Sequence, residues 1–294
     1  MKIIQSFAQF DEGSPYVLKR GKEDYIYLSF YCFLLSCISV TKTYGEFTMF
    51  CNKKAHNSML QYIPYPAFEI MENVNEFPMW SKYKLDAMRT IGDDLIHLDP
   101  DVSLFKPVLD PFINGECDVM IQDIVPFKWN IGKEFVFSSI NFFKETKILT
   151  KPYDGRAMSC GTFGMNKHAQ EYYFAGVDIL YDAMVKYGVE NIDYRGLILE
   201  EQLLYLVSIE NDFKIHEIVP HELIRKDIFE LGLTHGYLHV WTQFKFARKV
   251  IDLIRKEIFF GYPYYYETIL KYEHDVLSKF KFFQGMNFPK IYDL

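Results

Sequence analysis

Residues 2–98 alternate between strand-like and helix-like segments, and few folds accommodate that rhythm. Lys2–Phe7 (KIIQSF) reads as a strand. Tyr25–Tyr44 reads as a long apolar helix stopped at Gly45, and Glu46–Cys51 (EFTMFC) alternates as a strand does. Lys53–Tyr62 is a short helix and Ala67–Met71 a strand. Pro78–Thr90 is a helix with proline near its first turn, and Asp94–Leu98 is the next strand. A β-α-β-α-β-α-β order needs crossover connections, which make neighbouring strands parallel and lay helices on the faces of the sheet. The expected class is α/β, with a mostly parallel central sheet flanked by helices.

The fourth strand ends in chemistry. Leu95-Ile-His-Leu-Asp-Pro-Asp-Val102 carries an apolar run into Asp99 and Asp101. Pro100 fixes φ and lacks an N–H, so the ladder should stop there. Open α/β sheets bind ligands at the carboxyl ends of their strands. Two hard oxygen donors on a stiff turn suit a divalent cation that holds a diphosphate. The same two acids could instead cap a turn.

Further along, Cys117–Gln122 and Ala157–Phe163 read as strands, Lys167–Tyr187 and Leu197–Ser208 as helices, and Phe213–Val219 as a strand. Thr234–Lys245 reads as a loop rich in histidine and aromatics. Phe246–Phe259 is a basic amphipathic helix, and the aromatic tail runs from Tyr262 to Leu294. No repeat, low-complexity tract or Pro/Ser-rich linker divides the chain, so one domain over 1–294 is expected. Its parts are a nucleotide-sugar half (1–110), an acceptor half (111–245) and a helical extension (246–294).

Bulk properties exclude several functions. Net charge is −7 with no long basic block, which argues against a nucleic-acid partner. The 5 cysteines form no CxxC pair, so neither a zinc knuckle nor a disulfide framework is expected, and a reducing cytoplasm fits. No charge falls between Tyr25 and Thr41, yet this stretch is short for a span and carries serines, so a buried helix is expected. The N-terminus lacks the apolar core of a signal peptide. The tail (Phe259, Phe260, Tyr262, Tyr264 and beyond) could pack on the domain, form a homodimer, or touch a lipid-linked acceptor at the inner face of a membrane.

The β/α half closed by "iHlDpDv" and then Leu104-Phe105-Lys106-Pro107 resembles the nucleotide-diphosphosugar glycosyltransferases of GT-A fold, in particular their bacterial polysaccharide and glycogenin-like members. The resemblance implies a GT-A type sheet and an Asp-x-Asp element, here Asp99 and Asp101, that holds Mn²⁺ or Mg²⁺ against the donor diphosphate. It further implies a late His-x-x-Gly-x-x-Lys supplying a metal ligand and a phosphate-binding lysine. His239 and Lys245 keep that spacing, while Thr242 stands where the family has glycine. His235 is a rival metal ligand. An imidazole beside two carboxylates suits Mn²⁺ better than Ca²⁺.

Other candidates follow from position. The resemblance implies that basic residues on the helix before the metal strand, Lys82, Lys84 and Arg89, face the donor; a solvated helix face is the alternative. Gly161 and Gly164 either let a sugar approach or cap the next helix. Glu200 and Glu201 open a helix, where an acid could deprotonate the acceptor hydroxyl or complement the helix dipole. The function implied is metal-dependent transfer of a sugar, by a hexosyltransferase in polysaccharide biosynthesis. The donor is a nucleotide-sugar, UDP favoured, and the acceptor a glycan or lipid-linked hydroxyl. Retention or inversion stays open. The rivals are a degenerate GT-A binding protein and a metal-dependent phosphohydrolase or nucleotidyltransferase. For those enzymes no GxxxxGK loop is present, and His274-Asp275 has no partner motif.

Overall fold

The computed structural model describes residues 1–9, 23–72, 80–126, 144, 148, 150–187, 196–224, 228–240 and 247–280. A 7-stranded sheet has the order β3-β2-β1-β4-β7-β6-β8. β1 (Lys2–Phe7), β2 (Thr48–Cys51), β3 (Ala67–Ile70) and β4 (Leu95–Leu98) are mutually parallel, as the alternation predicts. β6 (Val119–Pro126) and β8 (Ile215–Glu217) also pair in parallel. β7 (Arg156–Met165) departs from the rule and runs antiparallel to both β4 and β6. The class is therefore α/β with a mostly parallel central sheet flanked by helices, the layout expected of a GT-A type.

Both faces of the sheet are covered, and each has its own core. On one face α1 (Ser29–Tyr44) packs with α9 (Arg248–Gly261) and α10 (Tyr266–Asp275). On the other, α3 (Trp80–Arg89), α5 (Lys167–Tyr187) and α6 (Leu203–Glu210) cover β4, β6 and β7. α1 is apolar all round because it is buried all round. The stretch Ile26–Tyr44 is long and apolar enough to cross a membrane, with hydropathy 1.4, yet 72% of that window is buried inside the fold.

The serines of α1 have a structural task. A second sheet of 2 strands joins β5 (Val102–Leu104) to β9 (Tyr237–His239). Ser36 donates to the Val102 carbonyl, the Leu104 amide donates to Ser39 Oγ at 3.0 Å, and Thr43 Oγ1 donates to the Leu104 carbonyl at 3.0 Å. Without them the free edge of β5 would bury unpaired backbone groups. The segment expected to be a loop thus contains β9, which pairing with β5 makes a strand. α2 (Lys53–Ser58) is capped by Asn52, whose Oδ1 accepts from the Ala55 amide at 2.9 Å. The described part of the aromatic tail packs on α1, with Tyr272 stacked on Phe30 at 3.7 Å between centroids. Phe260 and Tyr264 remain exposed.

Candidate metal and donor site

β4 is buried to its end, and the turn that follows closes with the Val102 amide donating to the Asp99 carbonyl at 2.9 Å. β5 then pairs with β9, Val102 lying opposite His239. The Val240 amide donates to the Asp101 carbonyl at 3.1 Å, which ties the two chain segments beside the turn. Asp99, Asp101 and His239 each offer one ligand atom, and these atoms all lie within 4.8 Å of one another. The small sheet therefore brings together residues far apart in sequence, at the carboxyl edge of the parallel strands.

The imidazole of His239 is oriented from behind. Its Nδ1 lies 2.7 Å from Gln122 Oε1, and its Nε2 lies 3.3 Å from Asp101 Oδ1. Gln122 Oε1 can only accept, so Nδ1 carries the proton. Nε2 then presents a lone pair to a carboxylate oxygen. Two lone pairs facing each other need a positive charge between them, either a proton or a metal ion. This arrangement, with an amide oxygen holding the far nitrogen, is how metal-ligating histidines are held. Gln122 is itself fixed: Tyr237 donates to the same Oε1 at 3.0 Å, and Tyr237 and Thr162 hydroxyls are 3.0 Å apart. A cation bound by two carboxylates and one imidazole suits Mn²⁺ or Mg²⁺.

Gly161 makes the approach possible. A Cβ there would run into the His239 ring and stand 2.7 Å from Gln122 Oε1. The Gly161 carbonyl accepts from the Asp99 amide at 2.7 Å, in a stretch where the pairing of β6 and β7 shifts register. Glycine is needed here for close packing of side chains, whatever approaches as ligand.

Among the described residues Lys84 supplies the site with a cation. Its Nζ is 2.8 Å from Asp99 Oδ1 and 2.7 Å from the Cys160 carbonyl, and it pairs with Glu200. Burial alone would lower its pKa, but the carboxylates of Asp99 and Glu200 outweigh burial and raise it, so the ammonium persists. Glu200 sits in a π-helical turn, Ile198–Gln202, rather than in the α-helix expected there. That wide turn leaves carbonyls for other donors: Tyr173 donates to Leu199 at 2.8 Å, and Cys160 Sγ lies 3.4 Å from the Glu200 carbonyl. Burial pushes the Glu200 carboxyl up against the opposing pull of Lys84, and among the described residues its buried Oε2 has no hydrogen-bond partner. Burial, then the charge of Glu200, pushes Glu201 well above the carboxylate range. Asp99 and Glu200 thus flank the Lys84 ammonium, while Asp101 faces His239, and a divalent cation between Asp99, Asp101 and His239 would add the charge this second group lacks.

His97, two residues before Asp99 on the same strand face, is fully buried. Its Nε2 is 2.8 Å from Ser6 Oγ and its Nδ1 3.7 Å from Asp99 Oδ1. Burial holds its pKa well below the ordinary value, so the ring beneath the acids is neutral.

Three other candidates have partners of their own. His235, at the end of α8 (Ile228–His235), bonds to Thr234 Oγ1 at 2.8 Å and stands outside the metal cluster. Gly236, with φ of 76°, turns the chain between α8 and β9. Lys82 pairs with Asp86 one turn along α3, and Arg89 pairs with Asp178 on α5. Lys84 instead reaches Asp99, at the end of β4. Gln122 was not anticipated; no local pattern marks it, because its task depends on β9. Lys245 and Thr242 lie outside the described residues.

The chain belongs to a family described as of unknown function (DUF6734), whose model matches residues 1–272. No curated protein matches the sequence. Several solved structures are similar in fold. The apo form of the glycosyltransferase GlyE of Streptococcus pneumoniae TIGR4 is 10% identical with TM-score 0.37, over 74% of this chain and 44% of that one. This chain thus spans less than half the length of that structure. The galactosyltransferase LgtC in complex with donor and acceptor sugar analogues is 12% identical with TM-score 0.38, over 68% of this chain and 70% of that one. An inositol-1-phosphate CTP transferase from T. maritima is 11% identical with TM-score 0.39, over 94% of this chain and 97% of that one.

Proposed function

We propose that this member of the DUF6734 family is a metal-dependent glycosyltransferase that moves a sugar from a nucleotide-diphosphosugar to a hydroxyl acceptor. One observation carries it: Asp99, Asp101 and His239 converge within 4.8 Å at the carboxyl edge of parallel strands, with the His239 Nε2 lone pair facing a carboxylate. Departure of a nucleoside diphosphate builds negative charge on its phosphates. A bound Mn²⁺ or Mg²⁺ would supply Lewis-acid stabilisation of that charge. The chain's own residues prepare the place. Gln122 fixes the imidazole, Lys84 fixes Asp99 from the opposite side, and Gly161 leaves room between them. The neutral His97 underneath adds no charge that would repel the cation.

The test uses the metal and the product nucleotide. Mn²⁺ with UDP is expected to raise the melting temperature, since a ligand bound only by the folded state stabilises it by mass action. Asp101→Ala should abolish that rise. An alanine variant stabilised as much as the wild type would end the proposal.

A further inference from the structure

A second titratable pair lies next to this site and plays no part in holding the cation. Asp123 follows Gln122 on β6 and is 1% exposed. Its Oδ2 lies 2.9 Å from Nδ1 of His221, which opens the chain after β8 and has a side chain 26% exposed. The Val219 amide donates to the Gln122 carbonyl at 3.0 Å, so His221 is anchored two residues from the residue that orients His239. Asp123 lies opposite Ser159 on β7, where the register shift begins that contains Cys160 and Gly161. Its charge is felt by Glu201 and by Tyr237. Among the described residues His221 Nε2 has no hydrogen-bond partner, while Asp123 is also bonded by Ser159 and Gln122. A ring nitrogen left without a partner costs stability, and a ligand hydroxyl at Nε2 would complete it.

Glu200 is tied to the Lys84 ammonium, whereas the Asp123–His221 pair has no such cation on it among the described residues.

We propose that Asp123 and His221 form the proton-accepting dyad for the acceptor hydroxyl, an assignment that rests on the glycosyl-transfer reading above. Asp123 accepts from Nδ1–H of His221, which leaves the Nε2 lone pair as the base. As the hydroxyl oxygen forms its bond to the sugar C1, its proton passes to Nε2. The bond from C1 to the diphosphate oxygen breaks, and its electron pair leaves with the nucleoside diphosphate. The imidazolium so formed is paired with Asp123. The metal ligands and the dyad meet at Gln122, so donor and acceptor chemistry share one strand end.

The experiment measures nucleoside diphosphate release in Mn²⁺ with water as acceptor, from UDP-glucose, UDP-galactose, UDP-N-acetylglucosamine and GDP-mannose. His221→Ala should lower release by about 100-fold or more, the usual contribution of a general base. Free imidazole should restore much of it, while the melting shift with Mn²⁺ and UDP stays as in the wild type. Wild-type release by His221→Ala, or loss that imidazole does not restore in a variant keeping the shift, overturns the dyad. If the alanine variant does not fold, Asp123→Asn decides: a similar loss with the shift kept supports the dyad, and a wild-type rate refutes it. No release from any of the four donors by the wild type removes the transferase reading and the dyad with it. Release that survives in the dyad variants removes the dyad alone.

Discussion

Replacing Gln122 by methionine tests whether His239 is a prepared ligand or a packed histidine. The substitution keeps the length of the side chain and removes the oxygen that two donors share, His239 Nδ1 at 2.7 Å and the Tyr237 hydroxyl at 3.0 Å. A buried donor left unpaired costs about 1–3 kcal/mol. Tyr237 can turn its hydroxyl towards Thr162, 3.0 Å away, so the loss should come mainly from the imidazole. The apo protein should therefore lose about 1–3 kcal/mol, a fall of roughly 2–5 °C in melting temperature for a chain of this size. Metal affinity should fall further, because neither the tautomer nor the ring orientation is held. Loss of such an outer partner costs about 10–100-fold in affinity, or roughly 1.4–2.8 kcal/mol. Titration of Mn²⁺ followed by the electron paramagnetic resonance of the free ion measures the affinity. Nitrogen NMR of His239 reads the tautomer without metal, and should show Nδ1–H in the wild type and a mixture in the variant. Wild-type Mn²⁺ affinity in Gln122→Met would refute the reasoning, since the ring would then be held by something else.

Other outcomes follow from the same geometry. Gly161→Ala should push the His239 ring off the turn, with an overpacking cost of about 1–3 kcal/mol and loss of the Mn²⁺-dependent melting shift. Lys84→Met leaves Asp99 and Glu200 without their shared cation. Breaking such a buried pair costs about 3–5 kcal/mol by denaturant unfolding, and adding Glu200→Gln should recover most of it. The pH dependence has a definite sign. Burial raises Glu200, Glu201 and Asp123, so above the ordinary carboxylate range the folded protein binds more protons than the unfolded chain. Apo stability should thus fall as pH rises out of that range, with a shallower slope in Glu200→Gln. Lys84, pushed up by Asp99 and Glu200 against the pull of burial, contributes stability that is full below the ordinary lysine range and is lost only in alkali. A melting curve that rises across the acid window would contradict this.

Much of the fold was legible because local pattern sets it. The strands β1 to β4 and their helices follow from hydrophobic periodicity and from stop signals such as Gly45, whose φ of 82° ends α1. The parallel order of the first half follows from the crossovers. β7 was legible as a strand but not as an antiparallel one, because its direction depends on how it returns to β6. The π turn around Glu200 was not legible, since its local pattern is helix-like and its partners Lys84, Tyr173 and Cys160 come from other elements. Among the candidate residues, Asp99 and Asp101 stand out by adjacency on one turn, and His239 only through the resemblance of the stretch from His239 to Lys245 to the family's late motif. Lys84 could not be ranked above Lys82 from sequence, because two positions on a helix differ only in which side faces the sheet.

The sequence by itself determined the alternating framework and delivered two acids to the end of a buried strand, since both depend on interactions between near neighbours along the chain. The tertiary structure decided which distant groups complete them. The β5–β9 ribbon brings His239 to the acids, β6 supplies Gln122 behind it, and Lys84 reaches across from α3 to join Asp99 with Glu200. These partners are separated by tens to more than a hundred residues. Their meeting is set by strand pairing and by the need to satisfy buried charge and hydrogen bonds, neither of which leaves a local pattern in the chain.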